Sequence, residues 1–122
     1  MEAGAHPTWT DPRTGLMWAR RDSDTVNWWQ AVDYCRKSAL ADYRDWRLAE
    51  IDELQGIGDK TLAPNRMHIK GGIQVRGWTW SNTPSKVRRT AWVFNFYANY
   101  ATPNVYFNFQ HERALCVRGS GR

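Results

Sequence analysis

The sequence has no apolar run long enough to cross a membrane, and its longest uncharged stretch is interrupted by Asn, Tyr and Pro. Residues 1–7 lack the charged and then apolar pattern of a signal peptide, so an exported protein would take its signal from elsewhere. The three histidines are scattered, which excludes the ligand spacing of a zinc site. A length of 122 residues predicts one domain.

Cysteine is also scarce, with only Cys35 and Cys116 present. A bond between them would close a loop of about 80 residues and stabilise the fold by roughly 4–5 kcal/mol through the entropy of the unfolded chain. It would also indicate an oxidising compartment or an extracellular particle. Two buried thiols in a cytosolic protein are the alternative, and the spacing alone leaves both open.

Acidic residues are nearly absent from the second half of the chain. Residues 60–122 contain ten Lys and Arg but one acid, Glu112, whereas residues 1–59 contain seven Lys and Arg and eleven Asp and Glu. A basic half of this kind attracts nucleic acid, sulfated glycans or an acidic protein. Internal pairing between the two halves explains the same asymmetry, and we expect no nucleic-acid partner.

The apolar pattern predicts helices first and strands afterwards. Asn27 is a candidate cap for a helix with apolar Trp28, Ala31, Val32 and Cys35. A second helix is indicated by apolar Leu48, Ile51, Leu54 and Ile57, and Gly56 and Gly58 mark its end. Residues 59–76 are predicted to be a long loop. Predicted strands cover residues 14–20, 78–81, 91–97, 105–110 and 114–118, with a basic connection at residues 86–89. The fold class is therefore α+β, with helices packed on antiparallel strands.

Six short motifs, in the same order, resemble one family. They are Thr14-Gly15-Leu16-Met17-Trp18, Trp29-Gln30-Ala31 with Tyr34-Cys35, Asp45-Trp46-Arg47-Leu48 with Glu53-Leu54, Trp80-Ser81-Asn82-Thr83, Ala91-Trp92-Val93, and Cys116-Val117-Arg118. The sequence is similar to the C-terminal domain family of the collagen-like bacterial adhesin Lcl, a branch of the C-type-lectin-like fold. Ala49 departs from the Pro that is usual in the family.

The resemblance implies a single C-type-lectin-like domain at residues 8–119, with residues 1–7 as an N-terminal arm. It implies a disulfide from the first helix to the last strand, between Cys35 and Cys116. It also implies a location outside the cell, on a cell surface or on a virion. Oligomerisation stays open, including a role as a structural trimerisation cap.

Calcium binding and catalysis are both disfavoured. Lectin calcium sites need several carboxylate and amide oxygens, but Ala63-Pro64-Asn65 lacks the acid before Pro and Phe94-Asn95-Phe96 lacks the Asp of the strand motif. We therefore expect no metal and no cofactor. Formylglycine-generating enzymes share the fold and need reactive cysteines, which makes an enzyme of that type the most distant alternative. Arg47 is expected to pair with a local carboxylate.

The segment from Ala91 to Gln110 carries the candidate binding site. One alternating set is apolar and is expected to face the core: Trp92, Phe94, Phe96, Val105, Phe107 and Phe109. The opposite set is rich in Asn and Tyr, a composition typical of antibody paratopes. The predicted ligand-binding residues are Asn95, Tyr97, Asn99, Tyr100, Asn104, Tyr106, Asn108, Gln110 and His111.

We therefore expect a non-catalytic domain that binds a protein or glycan on a cell or particle surface. The Asn and Tyr mixture is similar to that of variable proteins of diversity-generating retroelements, in which mutated template adenines change Asn codons. The alternative is an adhesin domain that binds sulfated polysaccharide through basic residues. These are Lys70, Arg76, Lys86, Arg88 and Arg89.

Overall fold

The computed structural model describes residues 7–59, 61 and 68–119. Along the chain, the elements are β1 (Thr8–Thr10), β2 (Met17–Ala19), β3 (Thr25–Val26), α1 (Trp28–Arg36), a short 3-10 helix (Leu40–Asp42), β4 (Arg47–Leu48), α2 (Ile51–Gly56), β5 (Trp78–Pro84), β6 (Thr90–Asn95), β7 (Tyr100–Tyr106), β8 (Glu112–Arg113) and β9 (Cys116–Arg118). The predicted α+β class is confirmed. The loop sequence Ala63-Pro64-Asn65 lies outside the described residues.

Helix α1 begins where the sequence predicts. The Asn27 side chain accepts a hydrogen bond from the Gln30 N–H at 2.8 Å, and the Gln30 side chain accepts one from the Asn27 N–H at 3.0 Å. This reciprocal capping satisfies two backbone donors at the helix start and is worth about 1 kcal/mol. Ala31 and Cys35 are fully buried on the inner face of the helix.

Helix α2 is shorter than its apolar pattern suggests. Leu48, predicted to begin the helical repeat, lies instead in β4. The helix starts after Glu50, whose N–H donates to the Glu53 carboxylate at 2.8 Å. Leu54 and Ile57 are buried, as the pattern requires. Thr83 of β5 secures the helix start, because its hydroxyl accepts from the Ile51 N–H at 2.8 Å and donates to Glu50 at 2.7 Å.

The strands form two sheets within the described residues. The smaller has the order β1-β2-β9-β4, and the larger has the order β3-β8-β5-β6-β7. The pattern missed β1, β3, β4 and β8, because strands of two or three residues are too short to show a period of two.

Two groups of buried side chains fill the interior. One contains Phe94, Phe96, Leu54 of α2 and Ile57, which follows that helix. The other contains Trp80, Ala91, Val93 and the disulfide. Cys35 and Cys116 are bonded, with their Cα atoms 5.3 Å apart, which confirms the pairing implied by the resemblance.

The predicted strand at residues 105–110 is wrong. The strand is β7, Tyr100–Tyr106, and residues 107–110 lie in a turn and in irregular chain beyond it. The register between β6 and β7 shifts between Ala91 and Val93, where Pro103 and Asn104 are accommodated opposite Trp92. An extra residue moves later side chains to the other face of a sheet.

The expected apolar face is therefore only partly correct. Phe94 and Phe96 are buried, but Phe109 is 47% exposed. Trp92, Val105 and Phe107 are only half-buried. Val105 and Phe107 still pack against the group around Trp80. The strict alternation fails where the register shifts and where the strand ends.

Candidate binding surface

The turn between β6 and β7 is shaped by two asparagines. The Asn95 side-chain oxygen accepts hydrogen bonds from the N–H groups of Tyr97 at 2.8 Å and Ala98 at 3.1 Å. Asn99 adopts φ of +58°, a left-handed conformation that Asn tolerates better than most residues. Tyr97, between them, is 56% exposed. Asn95 and Asn99 therefore fix the backbone that presents Tyr97.

Beside this turn, an aromatic pair lies across the sheet. Trp78 of β5 pairs with Asn95 of β6, which pairs with Tyr100 of β7, so these side chains form a row on one face. The rings of Trp78 and Tyr100 meet edge to face with centroids 5.5 Å apart. Tyr100 keeps 51% of its surface exposed. The exposed part of this row is the Tyr100 ring, which is close in the chain to exposed Tyr97.

Tyr106 does not share that face. Thr102 pairs with Val93 before the register shift, and Val105 pairs with Ala91 after it. Because Val105 packs on the same core group as Val93 and Ala91, the next residue, Tyr106, points to the opposite face. Tyr106 is 58% exposed. The predicted Asn and Tyr set is therefore divided between the two faces of the sheet.

Asn104 has a structural role at the shift itself. Its φ is +64°. The Ser85 hydroxyl donates to its side-chain oxygen at 2.6 Å and accepts from its N–H at 3.1 Å. These bonds tie β7 to the loop between β5 and β6. Asn104 thus resembles Asn95 and Asn99 in supporting the backbone.

The remaining predicted residues follow β7. Asn108, Gln110 and His111 are exposed. The His111 ring meets the Phe109 ring edge to face, with centroids 4.8 Å apart. This segment therefore continues the exposed aromatic and amide surface beyond the end of the strand.

Sequence reasoning missed a second aromatic group at the start of α1. Phe107 stacks on Trp28 with centroids 4.1 Å apart, and Trp29 meets Phe107 edge-on at 5.3 Å. Trp29 is 48% exposed. The Trp28-Trp29 dipeptide was the available signal, because adjacent helix residues point about 100° apart and both indoles cannot face the core. Together, the exposed residues Trp29, Tyr97, Tyr100, Tyr106, Asn108, Phe109, Gln110 and His111 are called the hairpin surface below. This surface includes both faces of the sheet, with Tyr100 on one face and Tyr106 on the other.

The five basic residues of the alternative site are not equivalent. Lys86, Arg88 and Arg89 are exposed together on the turn between β5 and β6. Arg76 donates to the buried Asp22 carboxylate at 3.1 Å and lies 3.7 Å from Asp24, so its charge is engaged locally. Lys70 is half-buried in the chain between α2 and β5.

Glu112 is a buried acidic residue of β8, the strand next to Trp78 of the aromatic row. Arg113 pairs in parallel with Thr79, which places Glu112 of β8 level with Trp78 of β5. Glu112 is 5% exposed, and one of its carboxylate oxygens has no hydrogen-bond partner among the described residues. Burial raises the pKa of this carboxyl above its ordinary value.

The carboxylates near Arg47 have structural roles. Arg47 donates to both oxygens of Glu53, at 2.8 and 2.7 Å, which agrees with the expected local pairing. Burial raises the pKa of Glu53, but the hydrogen bonds from Arg47 and from the Glu50 N–H outweigh it and hold that pKa below the ordinary value. Asp45 pairs with Arg118 at 2.6 Å.

Two further findings concern the described part of the chain. It contains no group of three or more His, Cys, Asp or Glu side chains placed to hold a metal ion. None of its helices has the length and apolarity needed to span a bilayer.

Comparison with known protein families gives a match. The profile of the family described as the Lcl C-terminal domain matches residues 7–118, which covers nearly all of the chain. No curated protein matches the sequence. The matched range includes the disulfide, both helices and every strand described above. The chain therefore belongs to the Lcl C-terminal domain family.

Proposed function

We propose that this domain is a non-catalytic recognition module whose hairpin surface binds a protein or glycan outside the cell, on a cell surface or on a particle. The observation that carries the proposal is the concentration of exposed aromatic side chains. Tyr97, Tyr100, Tyr106 and Phe109 are each about half exposed within one hairpin and the segment that follows it. Membership of a family that is not a known enzyme family is consistent with binding rather than catalysis.

The aromatic residues suit recognition because they provide large contact areas at low entropic cost. A Tyr side chain has two principal torsions to immobilise, and its hydroxyl keeps a polar contact available at the edge of an apolar ring. The supporting asparagines hold the turn before any ligand arrives. A preformed surface loses less entropy on binding than a mobile loop.

Catalysis of the formylglycine-generating kind finds no reactive thiol in this chain. Both of its cysteines are in the Cys35–Cys116 bond. The bond also supports the proposed location, because structural disulfides persist in oxidising compartments. The binding that we propose for the hairpin surface uses its side chains and does not depend on calcium.

Retroelement-driven diversification is the finer form of this proposal. We expect the exposed positions to vary and the positions that hold the backbone to be preserved. Tyr97, Tyr106, Asn108 and Gln110 are exposed, whereas Asn95, Asn99 and Asn104 fix turns or left-handed conformations. The test is a neighbouring reverse-transcriptase gene accompanied by a near-copy of the 3′ coding sequence of this domain. That near-copy should differ from the coding sequence at the codons of the first set and match it at the codons of the second set. Differences spread over both sets would contradict diversification of this surface.

The binding proposal is tested with a triple variant, Tyr97→Ser, Tyr100→Ser and Tyr106→Ser, on arrays of surface proteins and glycans. We expect capture by the unaltered domain and its loss in the variant, with little change in melting temperature because exposed substitutions cost little. Tyr43→Ser is the matched control, since Tyr43 is 39% exposed in the chain before β4 and is not part of the hairpin surface. Equal capture by the triple variant and the control would refute the proposed surface.

A second candidate function is binding of sulfated polysaccharide by the turn at residues 86–89. The observation that favours it is the shared exposure of Lys86, Arg88 and Arg89, none of which lies within ion-pair distance of an acid among the described residues. Charge reversal at Arg88 and Arg89 should reduce retention on heparin at low salt, and added salt should weaken binding. Reversal of Arg36 and Lys37, which pair with Asp33 on α1, is the matched control.

A further inference from the structure

A cleft of 570 Å³ lies between the end of β2, helix α1 and residues 72–74, and its described lining residues are not part of the hairpin surface. This volume is within the usual range for small-molecule sites, about 300–1,000 Å³. One wall includes Tyr34 and Ser38 from α1 and the chain that follows it. The opposite wall includes Arg20, Arg21 and Gln74.

Backbone bonds make this opposite wall a built structure. The Gln74 N–H donates to the Arg20 carbonyl at 2.8 Å, and the Asp22 N–H donates to the Gln74 carbonyl at 3.2 Å. Gly72 leaves room for the Arg20 guanidinium, because a Cβ at that position would lie 2.5 Å from an Arg20 nitrogen. Glycine at this position thus permits Arg20 to lie close against the backbone of the cleft wall.

The charge of the cleft is positive. Asp22 also lines it, but this buried carboxylate accepts from the Arg76 N–H at 2.9 Å and from the Arg76 guanidinium at 3.1 Å. Asp22 is therefore committed to Arg76. No acid of the described residues forms an ion pair with Arg20 or Arg21. Arg20 and Arg21 thus line a cleft in which Asp22, the carboxylate among its described lining residues, is already compensated by Arg76 from outside it.

We propose that this cleft binds a small hydroxylated organic anion, whose carboxylate or phosphate group lies against Arg20 and Arg21. Guanidinium groups match both anions because two parallel N–H donors meet two oxygens. Tyr34, Ser38 and Gln74 provide hydroxyl and amide groups for the ligand's own hydroxyls. The apolar lining residues Ala19 and Leu40 limit the space to a compact molecule. This site is separate from the hairpin surface and does not depend on the function proposed for that surface.

Three sugars that differ at one carbon test the proposal: glucose 6-phosphate, glucuronate and glucose. Titrations by calorimetry and amide NMR at physiological salt should show that at least one anion binds with a Kd below about 1 mM and shifts the amides of Gly72 and Gln74. Glucose should bind at least tenfold more weakly. Binding of one anion alone supports the proposal and identifies the preferred group.

Variants locate the site. Arg20→Ala and Arg21→Ala should each weaken binding of the anion at least tenfold, and Arg88→Ala, which removes the same charge elsewhere, should not. Tyr34→Phe removes one exposed hydroxyl from the cleft and keeps the aromatic ring, so it should weaken binding of the anion and tests the site even where an arginine variant fails to fold. Failure of both anions to bind, or shifts confined to residues 86–89, would overturn the proposal.

Discussion

Phe94 and Phe109 provide a matched pair for testing how the register shift distributes the aromatic side chains. A strict alternation would bury both, whereas the structure leaves Phe94 at 2% exposure and Phe109 at 47%. The ring of Phe94 packs against Phe96 with centroids 4.6 Å apart, and its edge lies beside Gly58, just after α2. The described aromatic contact of Phe109 is with exposed His111. We expect Phe94→Ala to be far more destabilising than Phe109→Ala.

The magnitudes follow from the buried areas. A buried aromatic side chain removes about 150–250 Å² from water, worth roughly 4–6 kcal/mol at about 25 cal/mol per Å². Alanine retains part of that area, so Phe94→Ala should lower the free energy of unfolding by about 3–5 kcal/mol. About half of Phe109 is already in water, and the surrounding chain can relax. Its truncation should therefore cost about 1–2 kcal/mol at most.

Urea unfolding at neutral pH with the disulfide intact, followed by tryptophan fluorescence, measures both free energies. Identical conditions and identical substitutions make the difference between the variants more reliable than either value alone. Losses that agree within about 0.5 kcal/mol, or a larger loss for Phe109→Ala, would refute the register described for β6 and β7.

Three further outcomes are expected. Reduction of Cys35–Cys116, which spans a separation of 81 residues, should lower the free energy of unfolding by about 4–5 kcal/mol. Urea titrations with and without reductant measure this loss of stability, and an unchanged unfolding midpoint would contradict the prediction. Because burial raises the pKa of Glu112 from 4.5, its contribution to stability is complete below that pH and declines as pH rises through the folded value. Glu112→Gln should therefore raise the melting temperature at pH 7 and not at pH 3.5, and equal effects at both pH values would exclude this cause. The pKa of Glu53 is lowered, so the contribution of Glu53 to stability is present above the ordinary Glu pKa and is lost as pH falls through the pKa of the folded state. Glu53→Gln should therefore flatten the decline of melting temperature in acid. An unchanged slope would count against the ion pair between Glu53 and Arg47.

The parts of the fold that sequence predicted are those with local physical signals. Asn27 and Gln30 form a capping pair within four residues, so α1 could be located without tertiary information. Strands such as β3 and β8 have two residues each and exist because they pair with one another. Their positions depend on contacts that no local pattern shows. The Cys35–Cys116 pairing came from the family resemblance and not from spacing.

The candidate surface was predicted in composition but not in arrangement. Asn and Tyr are enriched where the structure exposes them, but the pattern could not assign Asn104 to a left-handed position held by Ser85. That residue decides which side chains after it change face. Trp29 was missed because the apolar pattern of α1 uses Trp28, Ala31, Val32 and Cys35 and assigns no role to Trp29. Trp28 turns inward, and its indole N–H donates to the Ser81 carbonyl at 3.0 Å.

The position of the disulfide determines how the domain responds to tension along its chain. All of the hairpin surface except Trp29 lies at residues 97–111, between Cys35 and Cys116, so a force that pulls on the two ends of the domain passes through the S–S bond and not through the backbone of that segment. Residues 8–34 lie outside that covalent loop and can extend to about 90–100 Å before the bond bears the load. Among the described strands, β1 pairs with β2 alone and is at an edge of the smaller sheet, so it is where such extension would begin. A domain built in this way can lengthen under tension while residues 97–111 are spared the load.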